Sequence, residues 1–163
     1  MVITGAAIVY GDDINTDLII AGKYTKTLNK ADLAEHCMED LDPDFRVKCR
    51  GGAIIAAGEN FGCGSSREQA PVALLGSGVK CVAAKSFSRI FYRSAINIGL
   101  PIVECDTSFI SDGDELEYEP GGDRLRNLTA GTSKEVTPLP EIMVEILNCG
   151  GLVEFMKANG GFK

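Results

Sequence analysis

The sequence contains no tryptophan and a single histidine, His36, and only 7% of its residues are aromatic. A lone histidine without clustered partner ligands argues against the common histidine-based metal centres. Its six cysteines, at positions 37, 49, 63, 81, 105 and 149, include no C-x-x-C pair. Nothing points to an oxidising compartment, and a chain of 163 residues can bury its own core without staples. Most of the cysteines are therefore expected to be reduced, with no metal held by this chain. Basic residues are outnumbered, 16 Lys+Arg against 23 Asp+Glu, and the net charge of −7 excludes a general electrostatic grip on nucleic acid. No apolar run approaches the roughly 18–20 residues of a membrane span, so no membrane partner is expected. The opening residues, MVITGAAIVYGDD, lack the basic region of a secretory signal, which points to a cytoplasmic protein.

What is present is the balance of a globular domain: 45% hydrophobic and 24% charged residues. Nineteen glycines predict many tight turns and close backbone approaches. Residues 2–10 read as a strand running into the Gly11-Asp12-Asp13 turn. Asn15-Thr16-Asp17 precedes the apolar triplet Leu18-Ile19-Ile20, and residues 21–27 read as a polar loop. Asn29 is the expected cap of a helix over about 30–40, with Leu33, His36 and Cys37 on one face and Pro43 ending it. AIIAA, residues 53–57, reads as a buried strand. A helix around Ala73-Leu74-Leu75 follows, with Pro71 in its first turn. Residues 80–84 read as a strand, 86–98 as an amphipathic helix with Ser86 as candidate cap, and 100–104 as a strand. In that helix Phe87, Ile90 and Phe91 are expected to pack inward, with Arg89 and Arg93 in solvent. This strand–helix alternation predicts right-handed βαβ units and an α/β fold around a partly parallel sheet. Beyond about residue 106 the pattern changes to acidic, turn-rich sequence with short β-like pieces and a final helix near 152–157.

Chemistry concentrates in Gly62-Cys63-Gly64-Ser65-Ser66-Arg67, between a buried strand and a helix. Glycines permit close approach of backbone to a ligand, and the N–H groups opening a helix favour anions. Two serine hydroxyls add donors, and Arg67 can hold a carboxylate through two parallel hydrogen bonds. The segment matches neither a Walker loop nor a dinucleotide fingerprint. A plain strand-to-helix turn with a serine cap is the simpler alternative. A second cluster joins residues 12–17 to the 23–27 loop: either a turn with a solvated loop, or Asp17 orienting a catalytic partner and Lys26 facing a substrate.

Three separated segments then carry a resemblance: Gly11-Asp12-Asp13-Ile14-Asn15-Thr16-Asp17, the run from Gly58 through Gly64-Ser65-Ser66-Arg67 to Glu68, and Ser86-Phe87-Ser88-Arg89-Ile90-Phe91-Tyr92-Arg93 followed by Asn97-Ile98-Gly99-Leu100-Pro101. In this order they resemble the small subunits of the 3-isopropylmalate dehydratase family, within the aconitase superfamily. The resemblance runs from about residue 5 to 105 and continues less distinctly beyond. It implies a swivelling β/β/α domain spanning 1–163 as one unit, with a C-terminal extension from about 106. It further implies a large-subunit partner that holds a [4Fe–4S] cluster, with none bound by this chain, and a small dicarboxylate or tricarboxylate substrate. The implied reaction removes and re-adds water, turning 2-isopropylmalate into 3-isopropylmalate in leucine biosynthesis, with the open iron activating the departing hydroxyl. By position, Ser65 matches the catalytic base and Asp17 the acidic residue that orients partners beside it. Gly64, Ser66, Arg67 and Lys26 are the expected substrate-binding residues. Tyr24-Thr25-Lys26-Thr27 occupies the specificity loop, where lysine with two threonines fits neither the apolar isopropylmalate pattern nor the arginine of homoaconitate enzymes. Homoaconitase and 2,3-dimethylmalate dehydratase small subunits are the alternatives, and a non-catalytic carboxylate-binding module or a purely structural subunit lies outside the enzyme class.

Overall fold

The computed structural model describes residues 1–160; the last three positions of the expected 1–163 domain lie outside the described residues. Four parallel strands set the frame: β1 (Ile3–Val9), β2 (Ala53–Ala57), β3 (Val79–Ala84) and β4 (Ile102–Glu104). They lie side by side in chain order, so each crossover steps the same way across the sheet. Right-handed crossovers that all step one way place their helices on one face. The other face must be buried by something else, because β2 is buried at every position and an apolar run of that kind needs cover on both sides.

That cover comes from the tail. β5 (Glu115–Tyr118) pairs antiparallel with β1, and β6 (Arg124–Asn127) and β7 (Thr132–Glu135) follow as a meander, giving the seven-stranded order β4-β3-β2-β1-β5-β6-β7. The sheet curls, since Leu116 and Leu125 pack against Ile54, Ala56, Cys81, Ala83 and Val103 of the parallel half. Thr137, just past β7, donates its N–H to the carbonyl of Glu104 at 2.9 Å and ties the far end of the meander back to β4. The segment from β5 to β7, within the expected extension from about 106, is thus an integral part of the sheet. Asn127, almost fully buried, holds the meander from within: its amide donates to the Phe109 carbonyl (3.2 Å) and Asp114 (2.7 Å) and accepts from the Ala130 N–H (3.0 Å).

On the opposite face, Ile55, Ala57, Val82 and Ala84 pack under the helices. The long ones are α4 (Gln69–Gly76), α5 (Arg89–Ile98), α6 (Glu141–Cys149) and α7 (Leu152–Asn159); α1 (Thr16–Ile19), α2 (Lys30–Ala34) and α3 (Phe45–Lys48) are single turns. Among the described residues no helix is long and apolar enough to cross a membrane.

Several local expectations are corrected. The helix begun at Asn29 is capped as expected, the Asn29 side chain accepting from the Asp32 N–H at 3.1 Å, but it stops at Ala34 rather than near residue 40. Met38 is fully buried with φ +60 and donates its N–H to Ile19 at 2.7 Å; a right-handed helix cannot pass through that conformation. The α3 turn has no counterpart among the expected elements. α5 is capped by Ser88, whose hydroxyl accepts from the Phe91 N–H at 3.3 Å, while Ser86 instead accepts from the Asn60 N–H at 2.8 Å. Ile90 does not pack inward with Phe91; it is 53% exposed.

Gly99 ends α5 with φ +88, and a Cβ there would lie 2.5 Å from the Gly150 carbonyl oxygen at the end of α6. Left-handed backbone disfavours any side chain, and the carbonyl leaves no room for one. Gly99→Ala is expected to lower unfolding free energy by about 2 kcal/mol, read as a fall in the urea midpoint; an unchanged midpoint would refute this packing.

Candidate active site

The ends of β1 and β2 lie side by side, so the loops that follow them meet. Asp12 accepts the Glu59 N–H at 2.7 Å, and the Asp13 N–H donates to the Glu59 carbonyl at 2.8 Å. Asp13 and Asn60 both have positive φ, 56° and 61°, and are joined by the Asn60 amide donating to Asp13 at 3.1 Å. Backbone in this region is costly for residues other than glycine, and the bond between the two side chains helps to hold it.

Three further bonds fix the glycine-rich segment onto α1. The Gly62 N–H donates to Ile14 (2.7 Å), the Thr16 N–H donates to Cys63 (2.8 Å), and the buried Thr16 hydroxyl donates to the Ser65 carbonyl (2.8 Å). Gly62 has φ +80, and a Cβ there would sit 2.3 Å from the Phe91 ring. Held in this way, the backbone of Ser65 is anchored while its side chain stays exposed.

Arg67 reaches back over the end of α1. It forms an ion pair with Asp17 and donates from Nη1 to the Ile20 carbonyl at 3.1 Å. The arginine is 21% exposed and the aspartate 62%. Gly22 allows this approach: its missing Cβ would lie 3.3 Å from Arg67 Nη2.

Ser65, Gly64 and Arg67 line a cavity of about 160 Å³ together with Thr16 and the first turn of α5, where Arg89 and Ile90 face it. Of the expected residues, Ser65, Gly64 and Arg67 thus share one cavity, and Asp17 joins them through the ion pair. Ser66 is exposed and outside this lining, as is Lys26. The helix that opens onto the cavity is not the expected one. α4 starts at Gln69 with Glu68 at its cap position and no side-chain cap, so neither its N–H groups nor a serine cap involves Ser65. The bonds to α1 and the left-handed Gly64 (φ +93) hold residues 62–65 out of helical geometry. The positive end of α5 takes that place. Arg89, Ile90 and Thr16 were not among the expected site residues; the visible signal was a basic residue directly after the capping Ser88.

The Tyr24–Thr27 segment is tied down beside the site. Gln69 Nε2 donates to the Thr25 carbonyl at 2.9 Å, the Thr25 hydroxyl to Gly22 at 2.7 Å, and the Asn29 N–H to the Thr27 hydroxyl at 3.0 Å. Tyr24 stacks on His36 at 3.7 Å between ring centroids. His36 Nδ1 lies 3.0 Å from Glu39, and that hydrogen bond holds the Glu39 carboxyl below its usual range. His36 is therefore a support for the loop.

Burial, and then the charge of Asp13, push the Cys63 thiol up, which makes it a poor nucleophile at neutral pH. Among the described residues no group of three or more His, Cys, Asp or Glu side chains is placed to hold a metal ion. Cys37 and Cys49 lie under the helices, whereas Cys81 and Cys105 lie between the sheet halves. These residues do not fit an iron–sulfur cluster.

Gln69→Ala removes the bond to Thr25. It is expected to raise amide exchange across residues 22–27 about five-fold, the equivalent of about 1 kcal/mol, with global stability unchanged. Unaltered exchange would show that the loop is held by other contacts.

Residues 12–107 match the aconitase C-terminal domain family. The 3-isopropylmalate dehydratase small subunit of Caldicellulosiruptor bescii is 52% identical over 159 residues, covering 96% of this chain and 96% of its own. Small subunit 2 of the same enzyme from Archaeoglobus fulgidus is 52% identical over 164 residues, covering 100% of this chain and 99% of its own. A crystal structure of 3-isopropylmalate dehydratase from Methanocaldococcus jannaschii matches with a TM-score of 0.92 and 44% identity, over 98% of this chain and 96% of that one. With the swivel-type α/β fold and the Ser65–Arg67 cavity in place, the chain belongs to the aconitase C-terminal domain family, alongside the small subunits of 3-isopropylmalate dehydratase.

Proposed function

We propose that this chain is the small subunit of a heteromeric hydro-lyase that interconverts 2-isopropylmalate and 3-isopropylmalate by loss and return of water, a step of leucine biosynthesis in the cytoplasm. The observation that carries the reading is that Ser65 and Arg67 line one cavity. Arg67 binds a substrate carboxylate through its forked donors. Ser65 takes the proton from the carbon beside a carboxylate as the carbon–oxygen bond on the neighbouring carbon breaks, and returns it when water adds in the opposite sense. One water leaves and one returns, so the cycle needs no net oxidant or proton source.

A serine hydroxyl gives up its proton reluctantly, so the site must favour the alkoxide electrostatically. Arg67 and the first turn of α5, whose end carries partial positive charge, both line this cavity. Asp17 holds Arg67 in position through the ion pair. Gly64 supplies the backbone bend that brings Ser65 to the cavity, and Ser66 remains on the exposed rim for a carboxylate oxygen or the partner.

The cavity is about 160 Å³, well below the roughly 300 Å³ at which ligand pockets begin. That size supports half a site, completed by a large subunit that carries the [4Fe–4S] cluster, for which no suitable donors come together among the described residues. Lys26 favours a second reading of the substrate alone. It is an exposed cation on a loop bonded to α4, where a further carboxylate of an acid such as homoaconitate can meet it.

Reconstituted with the large subunit, Ser65→Ala is expected to lose turnover of 2-isopropylmalate by about 10³-fold while the complex assembles normally on size exclusion. Near-normal turnover would reduce Ser65 to a structural residue. Lys26→Val is expected to change the ratio of homoaconitate to isopropylmalate turnover; equal effects on both acids would remove Lys26 as the selector.

A further inference from the structure

We propose that Arg89 is a second carboxylate-binding residue of the acid site, a deduction that rests on the hydro-lyase reading above. Arg89 occupies the first helical position of α5, directly after the capping Ser88. A cation at the positive end of a helix is the wrong sign for the macrodipole, and the first turn of α5 contains no acidic residue to offset it. Among the described residues Arg89 has no hydrogen-bond or ion-pair partner, and its side chain is exposed. It nevertheless faces the same cavity as Ser65 and Arg67. A locally unfavourable charge at a functional cavity is where an external anion is expected to supply the missing compensation.

Charge counting points the same way. Arg67 is already paired with the Asp17 carboxylate and bound to the Ile20 carbonyl, so its charge is largely matched within the chain. Arg89 is then the uncompensated cation of the cavity lining. A malate-type acid carries two carboxylates on adjacent carbons, and one arginine fork holds one of them. Arg89 takes the other, fixing which end of the acid is presented to Ser65. Ile90, the next residue, is 53% exposed and borders the same space, leaving an apolar wall beside the bound carboxylate.

The test uses the reconstituted complex and compares Arg89→Gln and Arg89→Lys with Arg93→Gln, which removes an exposed arginine one turn further along α5 and outside the cavity. Arg89→Gln is expected to raise KM for 2-isopropylmalate about ten-fold or more, the loss of one charge-assisted bond, with kcat changed by less than about three-fold. Arg89→Lys is expected to recover part of the loss, and Arg93→Gln to leave KM near wild type. Equal KM effects at Arg89 and Arg93 would show general electrostatic attraction and overturn the assignment. Failure of Arg89→Gln to assemble would make Arg89 a contact with the large subunit, which also overturns it. A wild-type complex that turns over 2-isopropylmalate, with Arg89→Gln unchanged in KM, rejects Arg89 alone. A wild-type complex without turnover rejects the hydro-lyase reading and Arg89's role with it.

Discussion

The attachment of the glycine-rich segment to the turn after β1 is the constraint on which the site depends. Two backbone bonds and the Thr16 hydroxyl bind residues 62–65 to residues 14–16. Each bond contributes only about 1 kcal/mol net, yet together they decide the backbone path. Without them the segment after β2 has no reason to leave the sheet in the left-handed bends at Gly62 and Gly64 rather than enter a helix at once. With them Ser65 stands free at a cavity wall, and Arg67 is turned back over α1. Thr16 is 3% exposed, so its hydroxyl works away from water, where an unmade bond costs more than a made one gains.

That attachment is possible because β1 and β2 are parallel neighbours whose loops emerge at the same end. In open α/β sheets this carboxyl end is where ligands bind, since loops converge there and helix N-termini point toward it. The segment after β3 joins them: Ser86 accepts from Asn60, Ser88 donates to the Gly62 carbonyl at 2.9 Å, and α5 opens onto the cavity. Three consecutive parallel strands therefore each deliver one wall. The price is a sheet with helices on one face, and the curl of β5–β7 over the other resolves it. The tail's role is to let β2 be apolar on both sides, which in turn keeps the loops at its end in register.

Much of this was legible from sequence because it is locally encoded. The unbroken AIIAA of β2, the alternation of strands and helices, the Asn29 cap and the glycine–serine–arginine run all speak through near neighbours. What was not legible depended on distant partners. The helix after Asn29 continues in the periodicity but is cut at Ala34, because burial of Met38 against Ile19 sets a backbone no helix allows. Ser86 and Ser88 are equivalent as caps in the sequence, and only the bridge to Asn60 assigns Ser86 to another task. Ser65 lies at the cavity, but the helix whose first turn lines it is not the one that follows Ser65 in the chain. The start of α4 is four residues downstream, whereas α5, more than twenty residues away in the chain, is the helix at the cavity. Proximity in sequence favoured α4; the crossover placed α5.

The Asp17–Arg67 pair leaves the Arg67 guanidinium matched within the chain itself. A guanidinium that is only one-fifth exposed is expensive to leave unpaired, and Asp17 supplies a carboxylate of the same geometry as the expected ligand. Because Asp17 is itself well exposed, water takes it back readily when another carboxylate arrives, and a pair of this exposure contributes at most about 1 kcal/mol. Exchange of one carboxylate for another at Arg67 is therefore close to neutral, and that bond alone gives little net affinity. Under the proposed function, the binding energy of a dicarboxylate then comes from contacts that are unmatched in the free chain. On this side of the site such contacts are the α5 end of the cavity, and on the other they belong to the surface that completes a space too small to enclose the acid by itself. With one of the two arginines of the cavity lining already matched within the chain, the proposed function implies weak binding by this chain alone and tighter binding once the second surface closes over it.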